Sequence, residues 1–208
     1  MSPAASRLAD GDLLVTVDLA AHRDGRTAHV RTQHGVRGNR VTAVSTSRAG
    51  VAEVSHLSLA DWPAELARTV ALPLPAADAD PPAPGLVLPW ELLVGTGEAR
   101  ARHRPEVYDH LVARAVGACR ADGLDLGPAD CHEQLRRLHA ATGRMRATGA
   151  GRRAQGRRLG LASWLWLGPG WHALVPVTES GRAMVRVEPR RPDDLAAEAA
   201  VWLAAVRR

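Results

Sequence analysis

From residue 13 the chain alternates: Leu13, Val15, Val17 and Leu19 are separated by Leu14, Thr16 and Asp18. Successive side chains of a strand point to opposite faces, so a period of two predicts a strand covered on one face and wetter on the other. Three further runs, 26–34, 40–46 and 51–57, follow, with Gly35 and Gly38 between the first two and Gly50 before the last. Short glycine-containing links join neighbouring strands, so the four runs are expected to form an antiparallel meander. A sheet with one apolar face needs something packed on that face. The fold class predicted is therefore α+β, a mainly antiparallel sheet with packed helices.

The helices have recognisable starts. Asp61 is placed to accept from the free amides of a following helix, Pro63 suits its first turn, and Leu66 and Val70 recur at helical spacing before Pro73 ends it. From Pro73 to Pro89 the prolines remove backbone donors and favour extended chain, which reads as a linker. Two helices are expected next: about 105–121, with Val107, Leu111, Val112, Ala115 and Val116 on one stripe, and about 128–146, with Leu135, Leu138 and Met145. Gly123 and Gly127 mark the turn between them. A flexible arginine-rich loop from Gly149 to Arg158 leads to a strand through Leu161, Trp164 and Leu167, and Gly168 and Gly170 bound a tight turn. Strands 171–177 and 182–187 follow. Pro192, Asp193 and Asp194 suit the start of a last helix, since carboxylates favour the positive end of its dipole.

The two ends share a plan of strand, glycine turn, strand and acidic helix start. Val44, Gly50, Ala52 and Val54 match Val175, Gly181, Ala183 and Val185. A repeat of this kind predicts pseudo-two-fold halves within one domain of residues 1–208, with 11–72 and 139–208 around a linker and helical middle, 73–138.

Composition removes several function classes. With 46% hydrophobic and 24% charged residues the chain is an ordinary globular sequence. All 27 basic residues are arginine, and isoleucine and phenylalanine are absent, the mark of a very GC-rich genome rather than of a chemistry. The net charge of +5 allows a polyanionic partner, because clustered arginines neutralise phosphates, but it equally serves solubility. No apolar run approaches the ~18 residues of a spanning helix, and no secretory leader is read at the start, so a cytoplasmic protein without membrane insertion is expected. There is no Gly-x-Ser-x-Gly elbow, no HExxH and no glycine loop leading to a lysine, so no enzyme and no cofactor are expected. Gly95–Arg100, GTGEAR, has the glycines of a phosphate loop without a strand-to-helix setting.

Four groups of residues remain to weigh. Cys119 and Cys131 lack CxxC spacing, the usage expected of free thiols in a reducing compartment. His132 and His139, seven apart on one predicted helix, lie two turns from each other, and the adjacent Cys131 and His132 point about 100° apart, so a shared metal ion is disfavoured. Among the tryptophans, Trp62, Trp164 and Trp202 are expected in the core. Trp166 and Trp171 are candidate binding anchors, Trp171 as an exposed tip after its glycine turn. Arg152, Arg153, Arg157 and Arg158, with Arg144 and Arg146 before them, are the densest positive charge. Lacking interleaved aromatics or a recognition helix, they fit a solvated loop better than a nucleic-acid platform, and an arginine-dependent nucleic-acid-binding or regulatory protein is the alternative reading.

The stretch from His139 to Ala196 carries a family resemblance: HAATGRMRATGAGRRAQGRRLGLASWLWLGPGWHALVPVTESGRAMVRVEPRRPDDLA. Its Gly-Arg segment, strand, glycine turn, strand with a Gly-Arg step, valine-rich strand and Pro-Asp helix start resemble the C-terminal half of EspG-type, ESX (type VII) secretion-associated proteins of actinobacteria. The N-terminal stretch from Val17 to Arg68 is similar to that family's opening sheet and helix. The resemblance implies a cytosolic chaperone or adaptor, without cofactor or bond chemistry. It would hold a helical secretion substrate, PE/PPE-like or WXG-like, in a soluble state, with Trp166, Trp171, Arg152, Arg153, Arg157 and Arg158 as candidate contacts.

Overall fold

The computed structural model describes residues 8, 11–23, 25–47, 50, 52–71, 80–115, 117–151, 158–168 and 170–207. These contain eleven antiparallel strands and five helices, an α+β architecture. The chain divides into two compact units: Met1–Pro75 with Gly143–Trp164 and Arg191–Arg208, and Ala76–Thr142 with Leu165–Arg190.

In the first unit the predicted meander is present as β1 (Leu13–Arg23), β2 (Arg26–Arg37), β3 (Arg40–Ser47) and β4 (Ala52–Ser58). The strand order is β4-β3-β2-β1-β8-β9, where β8 is Gly143–Gly151 and β9 is Arg158–Leu167. The register sets Leu13 opposite Val36, Val15 opposite His34 and Val17 opposite Thr32, all on one face. That face is buried, and helices α1 (Trp62–Val70) and α5 (Asp194–Arg207) direct Trp62, Leu66 and Val70, and Leu195, Ala199, Trp202 and Leu203, into the core. Asp61 precedes α1 as expected but does not cap it: its carboxylate accepts from the Ser58 hydroxyl at 2.6 Å instead. At α5, the Asp194 carboxylate reaches back to accept from the Arg191 amide at 2.8 Å.

Strand β8 corrects the sequence reading, which ran a helix to 146 and a loop from 149. Its buried positions are Gly143, Met145, Ala147, Gly149 and Gly151, and its outer ones include Arg144 and Arg146. The alternation is intact, but small residues stand where apolar bulk is expected because Trp202 fills the space. A Cβ on Gly149 would lie 2.7 Å from the Trp202 ring, and one on Gly160 would overlap its indole nitrogen.

The second unit has the order β9-β10-β11-β5-β6-β7, with β10 (Gly170–Glu179), β11 (Arg182–Arg190), β5 (Val87–Pro89), β6 (Arg120–Ala121) and β7 (Leu124–Asp125). The β10–β11 and β6–β7 turns are the two-residue pairs Ser180-Gly181 and Asp122-Gly123, all four at positive φ, the arrangement that matches strand twist. Helices α2 (Trp90–Ala101), α3 (Pro105–Arg114) and α4 (Pro128–His139) pack a core of Leu88, Leu92, Val112, Leu135, Leu165 and Val185. Both expected middle helices are shorter than read: α3 stops at Arg114 before Gly117 at φ +80, and α4 stops at His139.

The expected linker is corrected over its second part. Val87, Leu88 and Pro89 pair with Arg186, Val185 and Met184 of β11. Ahead of that strand the Ala83 amide donates to Gln134 Oε1 at 2.8 Å, and Arg137 donates to the Pro81 carbonyl at 2.9 Å. A proline-rich stretch has few amides to satisfy, so two side chains of α4 suffice to hold it. GTGEAR lies inside α2, its amides directed into the helix ladder rather than at a ligand. The succession strand, glycine turn, strand, helix does occur at both ends of the chain. However, β4 is a sheet edge, whereas β11 has strands on both sides.

Candidate functional site

The two candidate tryptophans lie on consecutive strands of the second unit. Trp166 on β9 is half-buried; Trp171 on β10 is 2% exposed, which corrects its reading as an exposed tip. Trp171 is already in the ladder, opposite Arg190, and its ring meets Trp166 edge to face at 5.3 Å. Trp171 is thus the support and Trp166 the side chain it holds, a geometry worth about 0.5–1.5 kcal/mol beyond area burial.

Of the arginine cluster, Arg158 opens β9 and is exposed, while Arg152, Arg153 and Arg157 lie outside the described residues. Arg144 and Arg146 are exposed on the outer face of β8. Arg146 stands opposite Asp18, which stands opposite Arg31 and pairs with it at 2.6 Å, so one cross-strand row alternates in charge.

The structure also presents features that period counting missed. On helix α2, Leu92, Leu93 and Ala99 face the core, yet Trp90 and Val94, one turn apart, are 46% and 48% exposed among the charged Glu91, Glu98 and Arg100. Because apolar residues lie on its exposed side as well as its buried one, no clear amphipathic period marks this helix in the sequence. Glu91 beside Trp90 is ion-paired with Arg182 at 2.6 Å, which holds its carboxyl below the usual range.

A recess of about 500 Å³ opens in the same unit where α2 turns into α3, lined by Arg100, His103, Arg104, Pro105, Tyr108 and His132. The half-buried Tyr108 ring meets His132 edge to face at 5.1 Å, and burial pushes its phenol pKa up. His139 also meets the Tyr108 ring edge to face, at 6.3 Å, with its Nε2 2.9 Å from the Thr96 hydroxyl, and His132 stands 3.9 Å from Asp109. A second, more polar recess of about 930 Å³ lies in the first unit, lined by Arg37, Arg40, Thr42, His56, Ser58 and Asp61. Among the described residues no group of three or more His, Cys, Asp or Glu is placed to hold a metal ion. No described helix is long and apolar enough to cross a membrane. The exposed surface of the second unit sets apolar side chains such as Trp90 and Val94 beside paired charges such as Glu91 and Arg182.

No protein-family profile matches the sequence, and no curated protein matches it. Among solved structures, the chain is similar to EspG5, the Mycobacterium tuberculosis type VII secretion system chaperone, determined in complex with a PE25-PPE41 dimer. The match covers 96% of this chain and 75% of that one, with a TM-score of 0.53 and 14% sequence identity. The fold is EspG-like. Strand order and helices, rather than shared side chains, carry the EspG likeness at this identity, so the resemblance read in the sequence is met at the level of the fold.

Proposed function

We propose that this EspG-like chain is a non-enzymatic, cytosolic adaptor for a type VII secretion substrate. It binds a helical PE/PPE-like or WXG-like protein and keeps it soluble until secretion. The observation that carries this reading is the likeness to EspG5 over nearly the whole chain, EspG5 having been captured with a PE25-PPE41 dimer. Helical substrates of this kind bury an apolar tip, and an adaptor needs about 800 Å² of apolar surface with a polar rim to cover it. Trp166, backed by Trp171, and the exposed Trp90–Val94 turn supply apolar anchors. Arg152, Arg153, Arg157 and Arg158 are the charged contacts that the family resemblance nominates.

Co-expression with candidate PE/PPE-like pairs, followed by affinity capture and size exclusion at moderate salt, tests the reading. A co-eluting complex in which the substrate stays soluble supports it. Substrate that remains insoluble and uncaptured, alongside salt-sensitive retention of DNA or RNA by the chain, would overturn it in favour of polyanion binding.

A further inference from the structure

The chain has two cysteines, and the fold brings them together. Cys119 and Cys131 are each 1% exposed, both thiols are free, and their sulfurs are 2.8 Å apart in the core of the second unit. Buried cysteines commonly act as small apolar side chains. Here the sulfurs face each other inside a core that also holds Leu88, Val112 and Leu135.

The surroundings give this contact a consequence. Cys119 leads into β6, and its carbonyl accepts from the Leu126 amide at 2.8 Å; Cys131 lies in the first turn of α4. Between them runs the β6–β7 hairpin, two residues per strand, which joins β5 through the single pair Val87 and Arg120. A short edge hairpin of this kind is drawn from the low-stability end of a structure, so its opening is the route by which a small peroxide reaches the sulfur pair.

We propose that Cys119 and Cys131 form a reversible intramolecular disulfide site, closed by a hydroperoxide and opened by a dithiol. Hydrogen bonding between the sulfurs pushes the pKa of Cys119 up and that of Cys131 down, so Cys131 is the thiol that ionises first and reacts as its thiolate. Its sulfur attacks the peroxide, forming an S–O bond as the O–O bond breaks, and the departing oxygen takes a proton to leave as an alcohol or water. The Cys119 sulfur then attacks the resulting sulfenic acid. The S–S bond forms, the S–O bond breaks, and the hydroxyl leaves as water with the Cys119 proton. Two thiols lose two electrons in total and one hydroperoxide gains them. The product ties the edge hairpin to α4.

The test is made on the reduced full chain with hydrogen peroxide, followed by denaturation, iodoacetamide and intact-mass analysis. The expected result is concurrent loss of both alkylatable thiols in a monomer lighter by two hydrogens, one peptide cross-linked through Cys119 and Cys131, and full reversal by dithiothreitol. Closing a loop of this length raises the thermal midpoint by on the order of 5–10 °C. Cys119→Ser and Cys131→Ser should each lose the intramolecular product and that rise. The proposal is overturned if both thiols stay alkylatable after peroxide, if the only disulfides link separate chains, or if oxygen accumulates on Cys131 without a cross-link.

Discussion

His34 offers the sharpest test of the packing in the first unit. It lies on β2 opposite Val15, is 0% exposed, and neither ring nitrogen has a hydrogen-bond partner. Its neighbour is Trp62, with ring centroids 6.4 Å apart. Burial pushes its pKa down from 6.5 to about 4, opposed weakly by the charge of Glu65. In the unfolded chain the ring takes a proton near pH 6.5, and in the folded chain only near pH 4. The unfolded state therefore binds more protons in between, and stability is lost as pH falls through that window. A difference of about 2.5 units at ~1.4 kcal/mol each makes about 3 kcal/mol, complete by about pH 4. His34→Leu removes the titrating group and two unsatisfied nitrogens while keeping apolar bulk, so it should be neutral or stabilising at pH 7.5. Urea unfolding followed by tryptophan fluorescence, run on both proteins from pH 7.5 to 4.5, isolates the effect by subtraction, since carboxylates titrate alike in each. The difference curve should be flat above pH 7 and approach a slope of ~1.4 kcal/mol per pH unit below 6 in the variant's favour. Parallel curves would refute the reasoning and mean that water or a protein group satisfies the ring.

Three further outcomes follow from particular contacts. Gly160→Ala should destabilise by about 1–3 kcal/mol, and Gly149→Ala by less, because each new methyl meets the Trp202 ring; thermal unfolding of the pair against wild type checks the order. Trp90→Ser combined with Val94→Ser should cost less stability than Trp171→Ala, as both side chains are half in solvent, yet weaken substrate capture at least tenfold in a titration with the PE/PPE-like pair. Trp171→Ala should cost about 3–5 kcal/mol in urea unfolding, whereas Trp166→Ala should cost clearly less, since only Trp171 is fully enclosed.

The ease with which elements were read from the sequence follows from their packing. The meander was legible because Leu13, Val15, Val17 and Leu19 meet one helix layer on one face, so hydrophobicity alternates with the side chains. The β10–β11 hairpin and the start of α5 were legible for the same local reasons, a glycine turn and acidic first residues. Strand β8 was hidden because its inner face is glycine, alanine and one methionine, with the bulk contributed by Trp202 from elsewhere in the chain. Strand β5 was hidden because three residues carry too little period to see, and α2 because its apolar residues are spread over both its buried and its exposed sides.

Local pattern thus determined the α+β class, the antiparallel meander, the last helix and the resemblance to EspG-type proteins. Those features are written in side chains close in sequence, where alternation, turns and helix starts act on neighbouring residues. Tertiary structure alone decided that Trp171 is enclosed and supports Trp166, that Trp90 and Val94 remain exposed, and that the two cysteine sulfurs meet. Each of these depends on which distant element occupies the space beside a residue, and burial is a property of that neighbour as much as of the residue itself.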